Sequence, residues 1–358
     1  MSTGTPGLES VQWMAGGGPA ADLVLSSRIR LARNLEEYPF PTLLSPEQGQ
    51  AIVDLMEQVT ERLSASGLGR FTLLRMADLS PLDRRVLVEQ HLISPQHARN
   101  TATGAVILSE DRSISIMVNE EDHLRIQCLL GGLQLHKAWE IATRVDDVIE
   151  SGVRYAFDEE RGYLTTCPTN LGTGIRASVM VHLPGLVLAQ QAGRLLSQLG
   201  KVGMVVRGLY GEGTEALGNV FQVSNQITLG PSEEELIENL IGFTRQLLDQ
   251  ERSARERLYR ENEDGLKDRV MRAYGLLTNA WSMSSEEAIR LLSDMRLGID
   301  LNILSHVRPE VFNELIVLTR PACLQKLAGR ELDARERDLR RARLIRERIA
   351  AAIRKTTG

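Results

Sequence analysis

The hydrophobic pattern of this chain changes its period once, near residue 230, and that change predicts two structural parts. Before it, short segments alternate apolar and polar residues, as in VLSSRIRL and GIRASVMVHL, which is the period of a half-buried strand. After it, the stretch that begins PSEEELIENL has a helical period, and capping patterns at Ser232 and Ser284 open helices. The predicted fold class is α+β, with an antiparallel β-sheet flanked by helices and followed by an all-α C-terminal domain.

The first part supplies the predicted sheet, with one apolar face under helices and one polar face. Strands are predicted in VLSSRIRL, in GIRASVMVHL, in VFQVSNQITL and in a hairpin, GAVILSEDRSISIMVNEED, that turns at 110–112. Helices are predicted around 46–66, 81–92, 122–148 and 184–200. We divide the chain into a flexible N-terminal segment, whose Trp13 and Met14 could dock on the body, an α+β domain and a helical domain, at 1–22, 23–254 and 255–358.

The composition excludes several classes of protein. With 358 residues, of which 42% are apolar and 25% charged, the chain is predicted to be soluble and globular. Its net charge of -5 gives no general attraction to nucleic acid or anionic lipid. No apolar run approaches the roughly 18 to 20 residues that span a bilayer, and the N-terminal residues lack a secretory pattern, so we expect a cytoplasmic protein.

Arginines collect on the polar sides of the predicted strands. Arg28 and Arg30 share one side of VLSSRIRL, Arg176 and Arg207 lie on later strands, and Arg125 follows the NEED segment. Taken singly, an arginine on a strand face is more often an ordinary exposed residue than a ligand-binding one. Several together would repel one another unless an anion lay among them, and guanidinium forks suit phosphate oxygens, so the set predicts a polyphosphate site. The glycine-rich and lysine motifs of P-loop enzymes and ordinary protein kinases are absent from the sequence.

Three segments carry a resemblance to a known family. LSSRIRLARNLEEYPFP, VNEEDHLRI and CPTNLGTGIRASV resemble the signature segments of the phosphagen (guanidino) kinases, the family of creatine and arginine kinases. The similarity covers roughly residues 22–254. It implies transfer of a phosphoryl group from ATP, with Mg²⁺, to a guanidinium on a curved antiparallel sheet flanked by helices.

The resemblance implies a nucleotide site built from the five arginines, their neighbours and a histidine in VEQHLI. Without the motif, a histidine at that place on a predicted helix is more often structural. No metal site formed by the protein is predicted. The implied nucleotide-binding residues are Ser26, Ser27, Arg28, Ile29, Arg30, His91, Arg125, Arg176, Ala177, Ser178, Val179, Met180, Arg207, Gly208, Leu209, Tyr210, Gly211 and Glu212.

Two carboxylates are implied as catalytic. A guanidinium becomes a nucleophile only when it loses a proton, so carboxylates must orient it and accept that proton. Glu121 matches the first of the family's pair. The pattern R-G-x-x-x-E selects Glu212 as the second, whereas an ungapped alignment of GEGTEALGNV selects Glu215, and both stay open.

The three cysteines are odd in number and far apart, which predicts neither a disulfide framework nor a zinc site. Cys167 matches the reactive cysteine of the family. The resemblance implies a thiolate that pairs with the substrate cation and not a covalent nucleophile; the alternative is a buried, inert cysteine. Cys128 and Cys323 lie in apolar helical patterns and are expected in the core.

Two departures from the metabolite kinases bear on the substrate. Those kinases carry an N-terminal helical domain that closes over the free guanidino acid, whereas about 22 residues precede the first motif here. An open site would admit an arginine side chain that is still part of a polypeptide. The helical region after residue 255 is the second departure. Both resemble the bacterial protein-arginine kinases of the McsB type, which mark proteins for a Clp protease.

That family carries an R-D-x-x-R-A motif that binds phosphoarginine and regulates the enzyme. Here Arg337 and Arg341 are one helical turn apart and could hold the phosphate, while Asp338 could pair with the modified guanidinium. Taken alone, an arginine-rich final helix is more often a solvated face. The implied allosteric residues are Arg337, Asp338, Arg340, Arg341 and Ala342.

The leading hypothesis is an ATP-dependent protein-arginine kinase that acts in protein degradation and the stress response. Its expected partners are proteins bearing arginine, an activator protein, the Clp protease machinery and a second copy of the chain, with no membrane and no direct nucleic-acid role. One alternative is a kinase of free arginine or another small guanidino compound, which the missing lid disfavours. The other is a non-catalytic adaptor that binds nucleic acid through the final helix, which the net charge and the complete motif set disfavour.

Overall fold

An eight-stranded antiparallel sheet lies at the centre of the structure, a computed structural model that describes residues 8, 11–201, 203–210 and 216–353. The order of its strands in space is β2-β3-β4-β5-β1-β8-β10-β9, and β6 and β7 pair separately. The strands are β1 Val24–Arg33, β2 Phe71–Arg75, β3 Ala105–Ser109, β4 Ile114–Val118, β5 Leu124–Gly131, β6 Phe157–Asp158, β7 Gly162–Tyr163, β8 Ile175–His182, β9 Met204–Tyr210 and β10 Ala216–Asn225.

Helices flank the sheet in the first part and form the whole of the described second part. The first five are α1 Pro46–Ala65, α2 Pro81–Glu89, α3 Leu135–Glu150, α4 Pro184–Leu188 and α5 Ala192–Lys201. The others are α6 Glu233–Glu261, α7 Glu263–Asn279, α8 Ser285–Asp300, α9 Glu310–Leu318, α10 Pro321–Ala328 and α11 Ala334–Ala352. The predicted fold class is thus confirmed. Helix α6 runs unbroken through residue 255, where the domain boundary was predicted.

Two hydrophobic clusters lie on opposite faces of the sheet. On one face, Ile29 and Leu31 pack with buried side chains of α1, α3 and α6. On the other, Leu129 and Met180 pack with the C-terminal helices, including Phe312 of α9. Burial stabilises by roughly 1.5–3 kcal/mol per large apolar side chain. The face predicted to be polar is therefore apolar at the end that the C-terminal helices cover, and polar beyond it.

The predicted hairpin is confirmed, because β3 and β4 pair around residues 110–112. The helix predicted at 122–148 is wrong in its first part, where β5 precedes α3. This strand is central and almost wholly buried, so its apolar run resembles a helix as much as a strand. Cys128 is accordingly buried on a strand and not on a helix, while Cys323 is buried on α10.

Two further details differ from the predictions. The helix predicted at 184–200 is two helices, α4 and α5, separated at Gln190, whose φ of 55° interrupts the helical backbone. Strand β2, at one edge of the sheet, was not predicted. Within the segment 1–22, Gln12–Ala15 forms a short 3₁₀ helix whose Trp13 and Met14 are buried. None of the helices in the described ranges has the length and apolar content needed to cross a bilayer.

Candidate active site

The five arginines of the predicted polyphosphate site lie on one face of five neighbouring strands. Arg30 of β1 is opposite Arg176 of β8, and Arg28 lies two residues earlier on the same side of β1. Arg125 of β5 and Arg207 of β9 have the same parity in the register that links these strands. The antiparallel register thus brings together arginines that are far apart in sequence.

The neighbours of these arginines alternate between the two faces. Ser26, Ser178 and Met180 share the arginine face, in register with Arg28 and Arg30. The other predicted neighbours on β1 and β8 have the opposite parity, so their side chains cannot contact a ligand among the arginines, and only their backbone remains available. These residues are Ser27, Ile29, Ala177 and Val179, all of them buried. Gly208 also has the opposite parity on β9.

The electrostatics of this face are those of crowded cations. Burial, followed by the charges of Arg125 and Arg176, lowers the pKa of Arg28 to about 10. Burial and the charges of Arg28, Arg125 and Arg176 hold the pKa of Arg30 well below its usual value. Burial, then Arg207 and Arg125, also lower the pKa of Arg176. An anion bound among these side chains would relieve their mutual repulsion.

The hydrogen bonds of the face leave positive charge uncompensated. Arg28 donates from Nε to Ser178 Oγ at 3.2 Å and from Nη2 to Gln222 Oε1 at 2.7 Å, and both acceptors are neutral. The buried Nε atoms of Arg30 and Arg176 have no hydrogen-bond partner among the described residues. Buried donors without acceptors are costly, so these atoms are placed to donate to a ligand.

Arg125 differs from the other four because two carboxylates contact it. The turn between β4 and β5 begins at Asn119, which has a φ of 59° and accepts the strain because its side chain bonds to backbone carbonyls. Glu120, only 3% exposed, binds Arg125 at 2.8 Å and accepts from Ser94 Oγ at 2.6 Å. Glu121 also pairs with Arg125 but is 35% exposed. Glu120 therefore fixes Arg125, and Glu121 is the carboxylate that a substrate can reach.

Asp122, the last residue of the NEED segment, joins this turn to the loop that carries Cys167. Its Oδ1 atom accepts from Asn34 Nδ2 and from the backbone N–H of Thr166, both at 2.7 Å. Cys167 is half-buried, with its Sγ atom 3.0 Å from Thr169 Oγ1. Burial and then the charges of Arg207 and Arg125 lower the pKa of Arg176, and Glu121 and Cys167 oppose that shift.

A cavity of about 450 Å³ adjoins Arg28 and Arg30. His91 lines it, as do the apolar side chains of Ile93 and Met117. Helix α2 ends at Glu89, so His91 is not on a helix, and its φ of 63° places it in a left-handed turn. Burial, followed by the charges of Arg28 and Arg320, lowers the pKa of His91 to about 3, and its ring is neutral at physiological pH.

For several of the predicted site residues the structure describes no side-chain contacts. Leu209 and Tyr210 end β9, while Gly211 and both candidates for the second carboxylate, Glu212 and Glu215, lie outside the described residues. In the described part of the chain, no group of three His, Cys, Asp or Glu side chains is placed to hold a metal ion.

Sequence reasoning missed the roles of Glu120, Asp122 and Asn34, all of which position other site residues. The NEED segment signals a cluster of acids, but only the turn geometry separates the buried Glu120 from the accessible Glu121. Arg320, which follows α9 and lines the cavity of His91, was not predicted either. A single arginine between two helices carries no sequence signal of that kind.

The predicted allosteric pair is arranged differently from the expectation. Arg341 is 2% exposed and donates to the carbonyls of Thr319 and Met283, at 2.9 and 2.8 Å, and to Asp338 Oδ1 at 2.5 Å. Arg337 donates to the carbonyl of Leu332 at 3.0 Å. Protein acceptors thus already engage both arginines in this structure, and their role in holding a phosphate stays a prediction.

An open site does lie beside that motif. A cavity of about 530 Å³ is lined by Arg340, Arg343 and Arg346, together with the indole of Trp281, which is 78% exposed. The buried Nε of Arg340 has no hydrogen-bond partner in the described residues. Ala342 is buried and faces the core instead. Of the predicted motif, Arg340 is thus the residue that reaches a cavity able to hold an anion.

Comparison with families and relatives agrees with this geometry. A family model described as the C-terminal catalytic domain of ATP:guanido phosphotransferase matches residues 51–254. Another, described as the Protein-arginine kinase McsB C-terminal domain, matches residues 263–357. The protein-arginine kinase of Symbiobacterium thermophilum is 56% identical over 341 residues, which cover 95% of this chain and 97% of that protein. That of Geobacillus sp. (strain WCH70) is 54% identical over 343 residues, 96% of this chain and 95% of that protein.

Solved structures share the fold at lower identity. The duplicated taurocyamine kinase of Schistosoma mansoni, with bound components of a transition-state analogue, aligns with a TM-score of 0.60 and 24% identity over 67% of this chain and 34% of that one. Lombricine kinase aligns with a TM-score of 0.55 and 24% identity over 70% of this chain and 72% of that one. The sheet and its flanking helices are therefore an architecture already seen among guanidino kinases.

Proposed function

Because this chain belongs to the ATP:guanido phosphotransferase family, we propose that it transfers the γ-phosphoryl group of ATP to the guanidinium of arginine side chains in proteins. Its relatives at 56% and 54% identity are protein-arginine kinases, which supports arginine in proteins as the acceptor. The observation that carries the proposal is the cluster of arginines on one sheet face, four of them partly buried, beside the accessible carboxylate of Glu121. Arginines that lack anionic partners lie beside a carboxylate that can bind a guanidinium. Transfer of a phosphoryl group from ATP to a guanidinium requires this arrangement.

The phosphates of ATP bind among the arginines. Arg28, Arg30 and Arg176 supply the buried donors that lack charged acceptors, and Arg125, fixed by Glu120, lies between the phosphates and the acceptor. Charge that spreads over the transferred phosphoryl oxygens is stabilised by guanidinium groups already in place. Mg²⁺ on the phosphates adds positive charge to the same end. The neutral ring of His91 and the cavity beside it accommodate the rest of the nucleotide.

The acceptor guanidinium binds at Glu121. In the structure one guanidinium nitrogen of Arg125 contacts this carboxylate, which supports its use as a guanidinium-binding group. Glu121 orients the acceptor nitrogen and takes its proton as the N–P bond forms and the bond from the γ-phosphorus to the bridging oxygen breaks, which releases ADP. The second carboxylate, Glu212 or Glu215, would take part from the segment between β9 and β10. Cys167 pairs as a thiolate with the substrate cation and does not form a covalent bond.

The helical region, residues 255–358, is proposed as a regulatory and dimerisation domain. A phosphoarginine would bind in the cavity lined by Arg340, Arg343 and Arg346. Motif residues Arg337 and Arg341 would act by holding that part of the domain in shape. We further propose a cytoplasmic enzyme that has an activator protein among its partners, and whose products are degraded by a Clp protease in the stress response.

The test is mass spectrometry under non-acidic conditions, which preserve the labile P–N bond. The protein is mixed with Mg-ATP, unfolded casein and free arginine. Phosphate on casein arginines and none on free arginine is the expected result, and Glu121→Ala should abolish it. Phosphate on free arginine alone would refute the protein acceptor. If neither is modified when proteins from the same cells are added as a source of activator, the phosphotransferase proposal itself fails.

A further inference from the structure

Arg320 brings a positive charge from the helical domain to the nucleotide cavity. It is the residue before α10, whereas Arg28 and Arg30, which line the same cavity of about 450 Å³, belong to the sheet. Its charge is felt inside the cavity, because Arg320 is one of the causes that lower the pKa of His91. The cavity is therefore closed partly by residues from each domain.

The backbone on both sides of Arg320 is fixed. On its N-terminal side, the carbonyl of Thr319 accepts a hydrogen bond from Arg341 Nε at 2.9 Å. On its C-terminal side, the carboxylate of Glu89 accepts from the N–H groups of Ala322 and Cys323, at 3.0 and 2.8 Å. Glu89 is on the catalytic domain, so the start of α10 is bound to α2. A second link joins Lys326 of α10 to Asp83 of α2 at 2.6 Å.

The charges that line the cavity favour an anionic ligand. Three arginines and one carboxylate are found among its lining residues in the described part of the chain. That carboxylate, Glu89, accepts from two backbone N–H groups of α10, and it carries one negative charge against the three positive charges of the arginines. Guanidinium groups at a cavity with such an excess of positive charge suit the oxygens of a phosphate.

We propose that Arg320 is a nucleotide-binding residue that the helical domain contributes, and that Arg341 of the R-D-x-x-R-A motif positions it through the Thr319 carbonyl. The inference rests on the proposed function, because it assumes that ATP occupies the arginine face. It also gives a physical route between the two domains: a ligand that alters the hydrogen bonds of Arg341 moves the residue beside Arg320, and thereby changes nucleotide affinity.

The first test is the dissociation constant for Mg-ADP, measured by calorimetry on the full chain. Arg320→Ala should weaken binding about tenfold, the effect of losing one charge-assisted contact. Arg28→Ala is the reference for the arginine face, and Arg272→Ala, at an arginine 76% exposed on α7, is the control that binds as the unaltered protein does. Normal binding by Arg320→Ala alongside weak binding by Arg28→Ala would overturn only this inference. Absence of binding by the unaltered protein would overturn the proposed function and this inference with it.

The second test concerns the positioning role of Arg341. Arg341→Lys should weaken Mg-ADP binding severalfold in the unaltered background and should add nothing in the Arg320→Ala background. An equal loss in both backgrounds would show that Arg341 does not act through Arg320. Asp338→Asn, which removes only a partly exposed partner of Arg341, replaces Arg341→Lys in the same cycle if the lysine variant does not fold.

Discussion

The sheet face and the final helix are both rich in arginine, but they differ in the partners that surround the arginine charges. On the sheet, burial and then the charges of other arginines lower the pKa of Arg30, and Glu120 is the weakest of the influences on it. On α11, Arg341 is more deeply buried than Arg30, yet two carbonyls and Asp338 accept its hydrogen bonds. The number of arginines in a segment therefore says less about function than the partners that the fold supplies.

This difference has an energetic consequence. A buried charge destabilises the folded state by several kcal/mol unless it is paired and hydrogen-bonded. Arg341 meets that condition within the protein, so it contributes to stability. Arg30 and Arg176, whose buried Nε atoms lack partners among the described residues, do not meet it without a ligand. The sheet face is thus organised for an anion at the expense of ligand-free stability, and the following predictions test the contrast.

The largest expected effect is on catalysis at Glu121. Glu121→Gln should lower kcat about 10² to 10⁴-fold, because the amide cannot accept the proton of the guanidinium. Mg-ADP affinity should be nearly unchanged, since the phosphates contact the arginines. Glu110→Gln, on the exposed turn of the β3–β4 hairpin, is the matched control and should keep full activity. A Glu121→Gln enzyme that retains normal kcat would remove this residue from the mechanism.

Arg33 tests the contrast within a single strand. It lies three residues after Arg30 but on the opposite face, where it binds Asp146 at 2.7 Å and stacks on the Tyr163 ring at 3.5 Å. Arg33→Met should lower the free energy of unfolding by about 3–5 kcal/mol, because it leaves a buried carboxylate unpaired. Urea denaturation measures this loss. The prediction fails if the variant is as stable as the unaltered protein.

Arg341 should behave like Arg33, with a smaller effect. Arg341→Lys keeps the charge but loses the fork that reaches Thr319 and Met283, and the free energy of unfolding should fall by about 2 kcal/mol. Arg343→Lys, two residues along the same helix and 63% exposed, should change it by less than about 0.5 kcal/mol. Equal effects of the two substitutions would mean that the buried contacts of Arg341 do not stabilise the domain.

The dependence of stability on pH is the smallest expected effect when it is expressed per pH unit. Burial holds the pKa of His91 at about 3 and that of His97 at about 4, while both titrate near 6.5 in the unfolded chain. Their contribution to stability is complete above pH 6.5 and decreases as the pH falls toward these folded values, by up to about 1.4 kcal/mol per pH unit for each residue. His97→Gln should reduce the slope of unfolding free energy against pH between 6.5 and 4. The difference in unfolding free energy between His97→Gln and the unaltered protein at pH 8 is the control for lost packing. An unchanged slope between pH 6.5 and 4 would contradict the prediction.

Much of the fold was predictable because alternation and helical period are local properties. The order of the strands was not, since it depends on pairings such as that of β1 with β8 between distant segments. Strand β5 was misread because it is buried on both faces, and its apolar run lacks the polar half that identifies a strand.

For the site, too, the local sequence patterns were predictable and the contacts between distant segments were not. The alternating pattern predicts that Arg28 and Arg30 share one face, and the motifs predict the other arginines. The strand register also shows that the side chains of Ile29 and Val179 are buried on the opposite face, away from the arginines. The burial of Arg341 could not be foreseen, because its acceptors, at residues 283 and 319, are far away in sequence. The position of Arg320 at the cavity of His91 could not be foreseen for the same reason.

The most direct test of the account is the unfolding free energy of Arg30→Met, with and without saturating Mg-ADP, beside that of Arg33→Met. The account predicts that Arg30→Met is at least as stable as the unaltered protein without ligand, because it removes a buried, repelled charge, and that it gains less stability from Mg-ADP. If Arg30→Met instead loses as much ligand-free stability as Arg33→Met, Arg30 is a structural arginine and the sheet face is not organised for an anion.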